Sequence, residues 1–308
     1  MSKNFAIEVQ NLVKIYNKKL DNQFKSLDNL NLSIPKGKIF GLLGSNGAGK
    51  SSLINIIAGL VNKTSGNIKV LGYDIDQNPK LIKHLIGVVP QEIVLDSFFS
   101  LKQYLEITAG YFSIHHEARK TEELLKILGL WDKKDNYSKD LSGGMKRRFL
   151  LAKAMVHNPE ILILDEPTAG VDLDLRNKLW EYVLDISKNQ GKTVIITTHY
   201  LMEAQELCDE IAFINRGKIV KQDLTKNILH DLGSKYLKIE FTKNLDQDLL
   251  SNIPNLIKME DNKLFLNIDI SNDLNPILKS VSELNLNIKN IEIVETDLED
   301  VFHQIIKS

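Results

Sequence analysis

Gly44-Ser45-Asn46-Gly47-Ala48-Gly49-Lys50-Ser51, followed by Ser52, fits the pattern G-x-x-x-x-G-K-[ST] at every fixed position. Glycines there let the main chain wrap a phosphate chain, so that successive N–H groups and the positive end of a following helix point at the anion. Lys50 would neutralise the outer phosphates, and the Ser51 hydroxyl offers Mg²⁺ a hard oxygen. A second cluster closes the run Ile161-Leu162-Ile163-Leu164-Asp165-Glu166, four residues of buried-strand type ending in two carboxylates. At the end of a central strand Asp165 is placed to organise the metal, and Glu166 to polarise an attacking water as general base. Together they imply hydrolysis of a nucleoside triphosphate, and the lack of a guanine-reading Asn-Lys-x-Asp motif favours ATP.

Leu141-Ser142-Gly143-Gly144-Met145-Lys146-Arg147-Arg148 supplies a second anion-binding helix end: Ser142 is an N-cap type, and two glycines expose N–H groups ahead of a helical run. Its Leu-Ser-Gly-Gly core, shortly before Asp165-Glu166, resembles the signature of ABC transporter ATPases. The match is continuous over about residues 5 to 225. The resemblance implies that Ser142, Gly143 and Gly144 serve the γ-phosphate held by another subunit's loop, in a head-to-tail dimer with two ATP molecules at its interface. It implies further roles position by position. Tyr16, in Val13-Lys14-Ile15-Tyr16, matches the aromatic that stacks on adenine, and Gln91, after Val88-Val89-Pro90, the glutamine that touches Mg²⁺ and relays to the permease. His199, after Thr197-Thr198, matches the histidine that bonds the γ-phosphate and orients the catalytic pair, and Asp172 the loop that reaches across the dimer. Pro167-Thr168-Ala169-Gly170-Val171-Asp172, Thr197-Thr198-His199-Tyr200 and the closing Leu298-Glu299-Asp300-Val301-Phe302 look most like the type 2 exporter branch of drug, polysaccharide and lipid-linked exporters. Met145 departs from the glutamine of many members, and Leu173 from their proline.

The elements that must hold these residues are those of an α/β domain: over residues 1–225, short β-rich runs alternate with longer helical patterns, as in a mostly parallel sheet covered by helices. Strands are expected at Ala6–Val9, Lys38–Leu43, Ile86–Val89, Ile161–Leu164, Val194–Thr197 and Ile211–Asn215, several of them apolar throughout, as strands buried on both faces are. A helix after the phosphate loop is expected to bury Leu53, Ile56, Ile57 and Leu60. Leu101–Leu130 reads as a helical insertion stopped at Gly129, within a helical subdomain of about 92–158. Asn17–Ser26 reads as a solvated loop, Lys146-Arg147-Arg148 as a solvated charge run, and Cys208, Trp131 and Trp180 as packing residues. His115-His116 lacks partners at ligand spacing. Residues 226–308 read as a small α+β domain: strands at Leu237–Phe241, Leu264–Ile268 and Ile288–Val294, a helix at Ile277–Leu284, and a final helix at Asp297–Ile306 announced by the capping box of Thr296 and Glu299.

Thirty-nine Lys and Arg against 40 Asp and Glu, a formal charge of −1 over 308 residues, give no global field for a polyanion, so no nucleic-acid partner is expected. One cysteine excludes an internal disulfide and fits a reducing compartment. No apolar run is long enough to span a bilayer. A motor of this kind would therefore work on a membrane permease carried by a separate chain, peripheral at the cytoplasmic face of the membrane, its second ATP-binding subunit expected to be another copy. The competing expectation is a soluble ATPase of the same family acting on a nucleic-acid or assembly scaffold.

Overall fold

Phe5–Tyr16 (β1) and Phe24–Pro35 (β2) form an antiparallel pair in which Leu27, Leu30, Leu32 and Ile34 of β2 are buried while polar residues between them face water. In chain order there follow Ile39–Leu43 (β3), Lys50–Ile57 (α1), Ser65–Val70 (β4), Tyr73–Asp74 (β5), Pro79–Leu85 (α2), Ile86–Val89 (β6), Leu101–Tyr111 (α3), Thr121–Ile127 (α4) and Gly143–Met155 (α5). Then come Ile161–Asp165 (β7), Leu173–Lys188 (α6), Thr193–Thr198 (β8), Leu201–Leu207 (α7), Glu210–Asn215 (β9) and Lys218–Leu224 (β10). This computed structural model describes residues 5–16, 23–168, 173–232, 235–243, 255–268, 275–282, 286–295 and 298, and the chain divides into two units between Leu224 and Thr225.

The first unit holds two sheets. One is six-stranded in the order β10-β9-β3-β8-β7-β6, parallel except for the edge strand β10, and the other is antiparallel in the order β2-β1-β4-β5. Strands β3, β7 and β8 are buried at every residue, which is why β3 and Ile161–Leu164 of β7 are apolar throughout and β8 is Val and Ile between threonines. One continuous core joins residues of both sheets to Leu53, Ile54, Ile56 and Ile57 of α1. Leu60 lies beyond the end of α1 and is 72% exposed, so the expected fourth member of that apolar stripe does not join the core. The antiparallel sheet is an addition to the parallel core read from sequence, and it takes in Phe24–Ser26, which had read as loop: Ser26 is buried, its hydroxyl 2.7 Å from that of Ser52.

Between β6 and β7 the chain is helical, with α3 opened by a capping box of Ser100 and Gln103 and α4 stopped at Gly129, which stands at φ +62°. Cys208 is buried against the place that a side chain at Gly41 of β3 would occupy.

The second unit carries Thr225–Leu232 (α8), Lys235–Phe241 (β11), Leu256–Glu260 (β12), Lys263–Ile268 (β13), Asn275–Ser282 (α9) and Ile288–Glu295 (β14). Its sheet is antiparallel in the order β12-β13-β11-β14, and its core gathers Leu237, Ile239, Phe241, Leu264, Leu266, Ile268, Ile277 and Val281. The helix expected at Asp297–Ile306, with its capping box, lies outside the described residues except for Leu298, which is buried.

Candidate active site

Parallel pairing puts the carboxyl ends of β3, β8, β7 and β6 side by side on one edge of the sheet, and each end carries one of the residues singled out from sequence. The phosphate loop leaves β3 and enters α1. A side chain at Gly44 would sit 2.4 Å from the Ile214 carbonyl oxygen, and Gly49, at φ +115°, would press one within 2.8 Å of the Ser26 carbonyl, so neither place accepts another residue. Ser45, Asn46 and Gly47 are exposed at the tip, Ala48 and Lys50 are buried, and Ser51 is exposed. The Lys50 ammonium donates to the carbonyls of Gly44 (2.6 Å) and Ser45 (3.2 Å). Burial pulls its pKa below the ordinary lysine value, opposed by the charges of Glu166 and Asp165. Tyr16, the last residue of β1, has its hydroxyl 3.3 Å from that of Ser52, and the Lys14 ammonium lies 4.5 Å over its ring.

Asp165 and Glu166 leave β7 with both carboxylates largely buried. The Thr197 hydroxyl of β8 donates to Asp165 Oδ1, while burial pushes the Asp165 carboxyl above the usual range, the Thr197 bond opposing and the Glu166 charge adding to the rise. Glu166 is left-handed, at φ +45°, and its N–H donates to both the carbonyl and the hydroxyl oxygen of Thr197 (3.0 Å each). Its Oε2 accepts from Gln91 Nε2 at 3.0 Å and lies 3.4 Å from His199 Nδ1. Lys50, Asp165, Glu166, Gln91 and His199 are thus joined by direct contact or charge in one cluster.

The Ser142 hydroxyl caps α5, accepting from Met145 N at 3.3 Å, with Ser142 and Gly143 exposed. Asp172 lies outside the described residues. On its two flanks, Thr168 donates to Glu203 Oε2 (2.9 Å), and Arg176 Nε sits 3.3 Å from Glu203 Oε1 as an ion pair without hydrogen-bond alignment.

The charge run 146–148 is not a solvated face. Arg147 is buried and donates to the carbonyls of Pro90 (2.9 Å), Gln91 (2.9 Å) and Glu166 (3.4 Å), and Arg148 donates to that of Leu128 at 2.7 Å. Helical spacing held the signal: Arg147 shares its face with the buried Leu150, Leu151 and Ala154 at i+3, i+4 and i+7.

The family model described as ABC transporter matches residues 27–169. The chain is 34% identical over 306 residues to the linearmycin resistance ATP-binding protein LnrL of Bacillus subtilis, covering 96% of each chain. It is 32% identical over 315 residues to the daunorubicin/doxorubicin resistance ATP-binding protein DrrA of Streptomyces peucetius, covering 96% of this chain and 91% of that one. Among solved structures, cbiO1 of Clostridium perfringens, part of the ABC transporter complex cbiONQ, superposes with a TM-score of 0.64 at 28% identity, over 74% of this chain and 92% of that one. With its phosphate loop, paired carboxylates and signature helix assembled on one fold, and with relatives matched along nearly its whole length, the chain belongs to the ABC transporter family, as an ATP-binding protein of the type 2 exporter branch.

Proposed function

We propose that this chain binds ATP in the loop Gly44–Ser52 and hydrolyses it with Glu166 as general base, driving export through a permease on another chain. The carrying observation is the Glu166 carboxylate, held between Gln91 Nε2 and His199 Nδ1 at the strand edge, where its charge acts on Lys50 at the start of α1. Buried Lys50 holds the outer phosphates, Tyr16 faces the adenine, and His199 orients Glu166 and meets the γ-phosphate. Glu166 takes the proton from the attacking water, and Gln91 fixes its rotamer.

The residues suit Mg²⁺: the Ser51 hydroxyl, the Asp165 carboxylate and the Gln91 amide oxygen are hard oxygen donors, and Asp165 and Gln91 both stand beside the Glu166 carboxylate. When bound, the ion supplies positive charge at the phosphate oxygens. Thr197 keeps one Asp165 oxygen engaged, which orients the carboxylate.

Two copies paired head to tail would each offer Ser142, Gly143 and Gly144 to the other's ATP, with Asp172 in the loop between them. The permease contact fits an apolar groove of about 390 Å³ beside Gln91, lined by Leu60, Val88, Pro90, Val94 and Phe112. No described helix is long and apolar enough to cross a membrane; through the permease contact the chain would sit peripherally at the cytoplasmic face. Residues 1–225 are then the nucleotide-binding domain and 226–308 an accessory α+β domain. Neither the relatives nor the balanced charge favours a nucleic-acid or scaffold ATPase.

Glu166→Gln is expected to keep ATP binding, lose turnover by roughly 10²–10⁴-fold and accumulate ATP-bound dimers in gel filtration. Undiminished hydrolysis by that variant removes Glu166 from the base role.

A further inference from the structure

Arg147 stands on α5, the helix that opens at Ser142-Gly143-Gly144, yet its guanidinium reaches away from that end into the strand edge. It is 6% exposed, and its donors go to main-chain carbonyls on two different segments. Nη1 is 2.9 Å from both the Pro90 and the Gln91 oxygen, and Nη2 is 3.4 Å from the Glu166 oxygen. The last two acceptors belong to the two residues whose side chains meet at 3.0 Å, Gln91 Nε2 on Glu166 Oε2. One arginine therefore grips the backbones of both partners in that hydrogen bond.

The grip matters most at Glu166, whose left-handed backbone is one that side chains other than glycine and asparagine rarely adopt. Such a conformation persists only when its surroundings over-determine it. Here the N–H is fixed by Thr197 and the carbonyl by Arg147, so the peptide planes on both sides of the Glu166 Cα are held and the carboxylate is aimed by them. A planar fork with donors on two separate nitrogens can span carbonyls of two segments in fixed directions; an ammonium also has three donors, but all on one nitrogen at the end of a flexible stem.

We propose that Arg147 is a positioning residue for hydrolysis: through the carbonyls of Gln91 and Glu166 it ties the Gln91–Glu166 hydrogen bond to the position of the signature helix. Loss of this grip, with α5 itself in place, then lowers the rate of the chemical step and leaves nucleotide affinity nearly unchanged. This rests on Glu166 acting as the base. A merely structural role, stitching α5 to the ends of β6 and β7, would lower stability and affect binding and turnover together.

The test uses the full-length chain, MgATP as the probe, and steady-state plus single-turnover hydrolysis for Arg147→Ala, Arg147→Lys, Glu166→Gln and Arg147→Ala combined with Glu166→Gln. Arg147→Ala is expected to lower kcat by about 10²-fold, as small misplacements of catalytic groups do, with KM shifting by less than about threefold. Arg147→Lys should recover only a minor part of the loss. In the Glu166→Gln background the arginine change should cost less than about threefold more, since residues acting through one group are non-additive. Independent, multiplicative losses in the double variant would overturn the proposal, as would an unchanged kcat in Arg147→Ala, or kcat and KM worsening together. Should Arg147→Ala fail to fold, Arg147→Lys carries the same cycle. A fully active Glu166→Gln would strike down the base role itself, an outcome separate from a multiplicative cycle on an inactive Glu166→Gln.

Discussion

Thr197→Val isolates the bond on which the buried carboxylate pair depends. Thr197 is fully buried on β8, its hydroxyl donates to Asp165 Oδ1, and the same oxygen accepts from Glu166 N–H at 3.0 Å. Valine keeps the shape and suits a strand, so the substitution removes the hydroxyl and little else. The Glu166 N–H retains the Thr197 carbonyl at 3.0 Å, which leaves Asp165 as the group that loses its donor. A hydrogen bond to a charged group contributes about 1.5–3 kcal/mol, so the variant should be about 2 kcal/mol less stable at neutral pH. In a unit of this size that lowers Tm by about 4–8 °C. The sign with pH follows from the carboxyl. Burial already holds Asp165 above the ordinary range, and without its donor it rises further. A group raised in the folded state favours folding below its unfolded pKa and withdraws that support as pH climbs through the folded one. The deficit of the variant is therefore fully expressed at pH 8 and narrows toward acid, while the acid limb of ATP hydrolysis moves to higher pH. Calorimetry at pH 8 and 5.5, with a pH–rate profile, measures both, and Thr197→Ser should resemble the parent. A valine variant with the parent's Tm and acid limb would show that the hydroxyl does not hold Asp165.

Gly87→Ala puts a methyl group 2.2 Å from the Ala154 carbonyl oxygen and 2.9 Å from Pro159 Cγ, so α5 must lift from β6. A loss of about 3 kcal/mol in urea unfolding is expected, and an unshifted midpoint would refute the tight approach. His157 stacks on Phe112 at 3.8 Å with Nε2 3.1 Å from the Ile86 carbonyl, and burial pushes it down from 6.5 to about 4. Because the folded state then takes up this proton less readily than the unfolded chain, stability falls as pH drops from 6.5 toward 4. After solvent screening the loss is about 1–2 kcal/mol. Urea midpoints at pH 7.5 and 5 should show that fall diminished in His157→Phe; equal falls in both proteins would remove His157 as the source.

The phosphate loop, Asp165-Glu166 and His199 were legible because their chemistry is local: residue type and spacing along a few positions carry it, and the strand that delivers each is an apolar run. Lys50 and Glu166 needed no knowledge of tertiary neighbours. Arg147 did, since its worth lies in three carbonyls brought from 19 to 57 residues away, and neighbouring charges masked its place on the buried face. Gly87 is special only because α5 crosses it. Strand β2 escaped for another reason: Leu27, Leu30, Leu32 and Ile34 alternate with Asp28, Asn29, Asn31 and Ser33, types that compete for turns, and Asn29 at φ +51° breaks the period. In the second unit the exposed pattern of β12 carried too little apolar contrast to be seen.

The sheet order has a consequence for how the molecule comes apart. Strands β3, β8 and β7 are interior, each bonded on two sides and buried throughout, and they carry Gly44, Thr197 and Asp165 at their ends. Gln91 hangs from β6, an edge strand with one neighbour, and the helices after it are joined by longer segments whose only regular structure is single 3-10 turns. Local opening begins where main-chain bonds are few and exposed, so amide exchange should reach the Gln91 segment and the helical insertion long before the strand ends that hold phosphate. The most durable part of the first unit is thus the strand edge proposed to hold nucleotide, and the segment proposed to meet the permease is the part that loosens first.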